Sequence, residues 1–184
     1  MQFAYDPSMA IHTERLLLRA FTLGDIPAML KNWAADPDVQ KEYGEPVYAT
    51  AEAAASLLRM WEGQYRWAII LKGSGENIGH ISFCRVYLQE KVGEVEYCIG
   101  KAYWGQGLAP EAARAFLHHT FLHTPIERVE AFHRRANPGS GRVLQKAGMQ
   151  PVDTVMRFSN LSAPPAEDIC YAITREQFLQ SQEA

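Results

Sequence analysis

Short apolar runs and amphipathic stretches alternate along the chain. Residues 15–21 (RLLLRAF) are a brief apolar run with polar edges and read as a strand. Thr22 and Asp25 follow in the T-x-x-D spacing of a capping box, which predicts a helix through Ile26, Met29, Leu30 and Trp33. That helix should stop near Asp36 and Pro37, leaving a loop that contains Tyr43, Gly44, Glu45 and Pro46. Thr50 caps a second predicted helix, AEAAASLLRMWEGQY, with Leu57, Leu58, Trp61 and Tyr65 on one face.

At Trp67 the period changes from that of a helix to that of a strand. WAIIL, a turn at 73–75 and NIGHISFCRVY predict an antiparallel hairpin. A turn near 91–93 leads to EVEYCI, where Val95, Tyr97 and Ile99 alternate with Glu94, Glu96 and Cys98, so the carboxylates share one face. GKAYWGQGLAPEAARAFLHHTF is a glycine turn running into a strong helix pattern over about 108–122. ERVEAFHR reads as a strand, and NPGSGRVLQKAG as a short helix with Asn137 at the N-cap, Pro138 at N1 and Gly148 past the end. MQPVDTVMRF and EDICYAI return to strand patterns around a polar loop at 159–165, and a short helix from about Glu176 closes the chain.

Composition narrows the function classes. A chain of 184 residues with 47% hydrophobic content can build one large core without disulfides or a structural metal. Eighteen Lys+Arg against 21 Asp+Glu give a net charge of −3, which offers no overall footprint for nucleic acid or anionic lipid. The longest apolar stretch, 67–71, is far below the roughly 20 residues that cross a bilayer, and MQFAYDPSMA lacks the regions of a secretory signal, so a cytoplasmic protein is expected. Cys84, Cys98 and Cys170 lack CxxC spacing and read as buried free thiols. His119 and His123 have i,i+4 helical spacing, but no third ligand is evident; with His118 they read as a solvent-facing helix surface, and no metal is expected.

The turn WGQGLA, residues 104–109, carries the most chemistry. Two glycines between a strand and a helix allow successive amides to converge, and the helix macrodipole adds partial positive charge suited to a pyrophosphate. The same glycines would also serve a merely tight connection. A Walker loop would need GlyLysSer/Thr, and a dinucleotide fingerprint would need glycine at Pro110, although Glu127 stands where its ribose-binding acid would. The antiparallel meander before the turn also argues against that fold.

YWGQGLAPEA followed by NPGSGRVLQKAGM resembles the GCN5-related N-acetyltransferase (GNAT) superfamily, in particular its RimJ/RimL branch, whose members acetylate protein N-termini. TERLLLRAFTLGD, ADPDVQKEYG, GEVEYCI and EDICYAI follow the branch pattern in order, so the similarity runs from about Thr13 to Ile173. It implies an α+β fold: a strongly twisted mixed sheet of about seven strands flanked by about four helices, with splayed central strands. It also implies a single domain over 1–184, with about 1–11 as a flexible or short N-terminal extension. Acetyl-CoA is the implied co-substrate, its pyrophosphate on the amides of Gly105, Gln106, Gly107, Leu108 and Ala109. The pantetheine would pair with main-chain groups of Tyr97, Cys98 and Ile99 and meet Asn137, and Arg142 completes the implied cofactor set.

Two positions depart from the superfamily pattern. Trp104 replaces Gln or Arg, as is common in the branch, and Leu144 stands where many members carry a Tyr that protonates the departing thiolate. In the branch a Ser aligned with Ser140 is proposed for that role. A serine hydroxyl is a poor acid beside a thiol of pKa about 8.5, so Ser140 suits hydrogen bonding to the developing thiolate, or only the first turn of its helix. Attack by an amine requires a proton acceptor. Glu94 matches the family Glu; Glu96, often Gly in the family, lies on the same face, and Glu130 is a third candidate. If Glu94 and Glu96 both face the cleft, mutual repulsion favours a proton on one of them. His133, Arg134 and Arg135 form a basic cluster that meets either the 3′-phosphate of CoA or solvent. The acceptor groove should be lined by residues 43–48, the second helix and the loop at 159–165, and Glu42, Glu45, Glu94 and Glu96 would favour a cationic amine. The resemblance admits a protein N-terminus or a small amine as acceptor, a homodimer, and, as an alternative, a non-catalytic acetyl-CoA-binding regulatory module.

Overall fold

Alternation along the second strand shows how the sheet is built: Leu16 and Leu18 are fully buried while Leu17 and Arg19 are half-buried. The computed structural model describes residues 9–157 and 165–183. Among them, β1 (Ile11–His12), β2 (Leu16–Arg19), β3 (Arg66–Leu71), β4 (Asn77–Tyr87), β5 (Val92–Ile99), β6 (Arg128–Arg134), β7 (Gln150–Arg157) and β8 (Ala166–Thr174) form one sheet in the order β1-β2-β3-β4-β5-β6-β8-β7. The helices are α1 (Ile26–Met29), α2 (Pro37–Tyr43), α3 (Ala51–Met60), α4 (Leu108–His123), α5 (Pro138–Lys146) and α6 (Arg175–Glu183). This is the expected mixed α+β architecture, with the two-residue edge strand β1 beyond the seven strands the patterning predicts.

All pairings are antiparallel except β5 with β6. Those two strands are in register only from Val92↔Arg128 to Val95↔Ala131. Beyond Val95 they part, so residues 96–99 and 132–134 line a splay in the middle of the sheet. One face packs Phe116, Leu117 and Phe121 of α4 and Leu144 of α5 against Trp67, Ile69, Ile81 and Phe83. On the other, Met29, Trp33, Val39, Ala54 and Leu57 enclose Cys98. Side chains of this size stabilise by roughly 1.5–3 kcal/mol each when fully buried.

Thr22 and Asp25 form the expected capping box, and the helix they start widens into a π-helical turn over Leu30–Ala34. Residues 37–43 differ from expectation: α2 is helical, because Asp36 caps it, accepting from the amides of Asp38 and Val39, with Pro37 at N1. Cys84 is exposed, since a bulge between Phe83 and Arg85 removes it from the strand alternation; Cys98 and Cys170 are buried. His119 is also buried, its ring centroid 5.7 Å from that of Trp67 and 4.9 Å from that of His123, so this part of α4 faces inward. Most of the expected 1–11 extension, and residues 159–164 of the expected acceptor loop, lie outside the described residues; Ile11 already belongs to β1. No helix among the described residues is long and apolar enough to cross a membrane.

Candidate active site

The glycine turn sits at the end of β5 and opens α4. Gly105 (φ +74°) and Gly107 (φ +77°) take the left-handed conformation that a Cβ disfavours. The amides of Gly105, Gln106, Gly107, Leu108 and Ala109 make no hydrogen bond among the described residues, and Pro110 has none to offer. Arg15 braces the turn: its guanidinium donates to the Gln106 carbonyl (3.0 Å) and pairs with Glu111 in the first turn of α4 (2.6 Å). Trp104 Nε1 donates to the Ile99 carbonyl at 2.8 Å, a contact that fixes the turn against β5 and that its spacing alone does not reveal.

Across the splay, Asn137 caps α5 by accepting from the Ser140 amide (3.1 Å). The Ser140 hydroxyl lies 2.6 Å from the Tyr97 phenol, which also donates to the Ser140 carbonyl at 3.0 Å. Burial pushes the Tyr97 phenol up, so it remains a proton donor. Cys98 points into the cluster under α1–α3, and Arg142 is exposed on α5. His133 is buried under Gly141, while Arg134 pairs with Asp168 (3.1 Å) and Arg135 with Glu167, so both arginines of the expected basic cluster are already matched.

Glu94 and Glu96 share a face, as their alternation predicts, but both are paired, Glu94 with two guanidinium groups and Glu96 with one. Glu94 Oε1 accepts from Arg157 (2.7 Å), and Arg85 reaches both of its oxygens at 3.2–3.3 Å. Glu96 Oε1 accepts from Arg66 (2.7 Å), Tyr43 (2.9 Å) and Ser82 (3.0 Å). Glu130 pairs with Arg128 at 2.8 Å.

A family model described as an acetyltransferase (GNAT) domain matches residues 15–150. The chain belongs to the GNAT acetyltransferase family. The N-acetyltransferase p20 of Bacillus licheniformis is 30% identical over 146 residues, covering 76% of this chain and 82% of the relative. The crystal structure of a GNAT-family acetyltransferase from Bacillus anthracis superposes with a TM-score of 0.81 at 30% identity, covering 91% of this chain and 99% of that one. A spermidine N-acetyltransferase from Vibrio cholerae, solved with CoA and spermine, shares the fold at 14% identity with a TM-score of 0.76, covering 91% and 99%. This GNAT chain is therefore an acyltransferase, which sets aside the non-catalytic alternative.

Arg66 of the GNAT sheet is buried between Glu96 and His80. Its Nη1 lies 2.9 Å from His80 Nδ1; a guanidinium only donates, so Nδ1 accepts and the fully buried imidazole is neutral. Burial first, and the Arg66 charge second, push the His80 pKa well below its usual value. The folded protein thus excludes a proton that the unfolded chain binds below pH about 6.5. Stability from this group is full above that pH and falls by about 1.4 kcal/mol per pH unit below it. Urea unfolding between pH 7.5 and 4.5 should show this acid slope, and His80→Asn should flatten it; an equal slope in the variant would count against the assignment.

Proposed function

We propose that this enzyme transfers the acetyl group of acetyl-CoA to a primary amine, a protein N-terminus or a small amine, by direct attack of the nitrogen on the thioester. The observation that carries this reading is the row of unpartnered amides, Gly105 to Ala109, at the head of the 16-residue helix α4 and beside the opening between β5 and β6. Such a nest at a helix N-terminus suits a pyrophosphate. The unpaired edge of β5 at Tyr97, Cys98 and Ile99 suits the amides of the pantetheine arm, with Asn137 and Arg142 on the α5 side. The Ile99 carbonyl already accepts from Trp104, so Tyr97 and Cys98 carry more of that pairing.

Ser140 is the group assigned to the leaving thiolate, and Tyr97 holds it in place. Glu94, the base that the family pattern assigns, is held on both oxygens and can take a proton only as the half-exposed Arg85 moves aside. Ser140 together with Leu144 supports the RimJ/RimL branch within the family. A cytoplasmic homodimer of single-domain subunits fits the same reading.

Isothermal titration with acetyl-CoA, with NADH as control, tests it. One site per chain of micromolar affinity for acetyl-CoA alone is expected, and Gly107→Val should weaken it about tenfold, since a left-handed non-glycine residue costs about 1–2 kcal/mol. Folded protein that gives no heat with acetyl-CoA at several temperatures would overturn the reading.

A further inference from the structure

Glu96 lies one residue beyond the last β5–β6 pair, so it stands where the splay begins. All three of its donors, Arg66 Nη2, Tyr43 OH and Ser82 Oγ, bind the same oxygen, Oε1. Oε2 has no partner among the described residues, and the side chain is 28% exposed. Three fixed donors on one oxygen orient a carboxylate and aim the other. Glu94, by contrast, has a guanidinium on each oxygen.

A second carboxylate stands close by. Glu45 follows α2 and accepts from Tyr48 at 3.4 Å; partial shielding from solvent first, and the Glu96 charge second, push its carboxyl above the usual range. Arg66 is the cation paired in this cluster, so Glu45, Glu96 and Arg66 together leave one negative charge unmatched.

We propose that Glu96, through Oε2, binds the ammonium of a cationic amine acceptor and takes its proton. The inference rests on the acetyltransferase reading above. A proton passes from the ammonium nitrogen to Oε2, and the freed lone pair forms the N–C bond to the acetyl carbonyl carbon. Collapse breaks the C–S bond; the thiolate leaves with the second nitrogen proton, and Glu96 returns the first proton to water. The products are the amide, free CoA thiol and one proton. Nothing in this sequence needs a further reactant.

The test is thiol release from acetyl-CoA by the full chain, with spermidine and an alanine-initiated tripeptide amide as cationic amines, taurine as an amine bearing an anion, and hydroxylamine as an amine already neutral at pH 7.5. The wild-type protein should prefer the cationic amines over taurine at least tenfold in kcat/KM. Glu96→Gln keeps a carbonyl oxygen for the three donors. It should lower kcat with the cationic amines about a hundredfold, the range of general-base effects. Hydroxylamine turnover should fall less than fivefold, and the acetyl-CoA affinity should stay within twofold. An active wild type whose Glu96→Gln variant stays within threefold on every amine overturns the assignment, as does an equal loss with hydroxylamine. A wild type that binds acetyl-CoA but turns over none of the amines overturns the acetyltransferase reading, and this inference with it. Should Glu96→Gln fail to fold, Tyr43→Phe removes one orienting donor without changing charge; a several-fold drop in kcat at unchanged acetyl-CoA affinity is expected, and an unchanged kcat overturns the assignment.

Discussion

Replacing Arg66 with alanine is expected to lower unfolding stability by about 3 kcal/mol, the cost of breaking a buried ion pair. The Arg66 side chain is 7% exposed, and its guanidinium does four jobs at once. It pairs with Glu96, donates to the Tyr43 phenol at 3.3 Å, donates to His80, and stacks 4.1 Å from the centre of the Trp61 ring. Alanine would leave the Glu96 carboxylate with only the neutral donors Tyr43 and Ser82, take the donor from His80 Nδ1, and open a void beside Trp61. Because Glu96 is 28% exposed, water can restore part of its solvation, which keeps the expected loss at the lower end for buried pairs. Urea midpoints at pH 7.5 measure it. A loss below about 1 kcal/mol would mean that Glu96 is hydrated as well as it is paired.

Gly79→Ala should cost about as much, roughly 3 kcal/mol, near the upper end of what overpacking usually costs. Gly79 lies in β4 opposite Ile99, and a Cβ there would stand 2.1 Å from the Cys98 carbonyl oxygen and 2.9 Å from the Ile99 Cα. Both obstacles are backbone, so relief requires β5 itself to shift at the level of the splay. Acetyl-CoA affinity should therefore drop along with stability. Gly73→Ala is the control: a Cβ there meets nothing within 4 Å, and the variant should unfold with the wild type. Two variants of equal stability would show that β5 yields at this point.

The parts of the fold legible in the sequence are those written in local patterns. Alternation through residues 94–99 places the two glutamates on one face of β5, and Asn137 three residues before Ser140 announces the cap that the structure contains. Asp36 and Pro37 show how a local signal can be read too narrowly, since the pair that ends one helix also caps and starts the next. The partners of the carboxylates leave no local trace. Tyr43, Arg66 and Ser82 reach Glu96 from 53, 30 and 14 residues away, and Arg157 reaches Glu94 from 63. Shared orientation along a strand implied mutual repulsion; only the folded chain supplies the guanidinium that meets each carboxylate. Cys84 is hidden from pattern reading for a different reason, since one bulged residue shifts every later parity along β4.

The strand order also bears on how the molecule is made. β1 through β5 lie side by side in the order in which they occur along the chain, and β3, β4 and β5 are joined by short turns. Loops of that length close at little entropic cost. The parallel contact of β5 with β6 must instead await the whole of α4, and β7 and β8 come later still. Synthesis from the N-terminal side therefore delivers first the half whose strands zip neighbour to neighbour, and the wall on the far side of the splay emerges only after it.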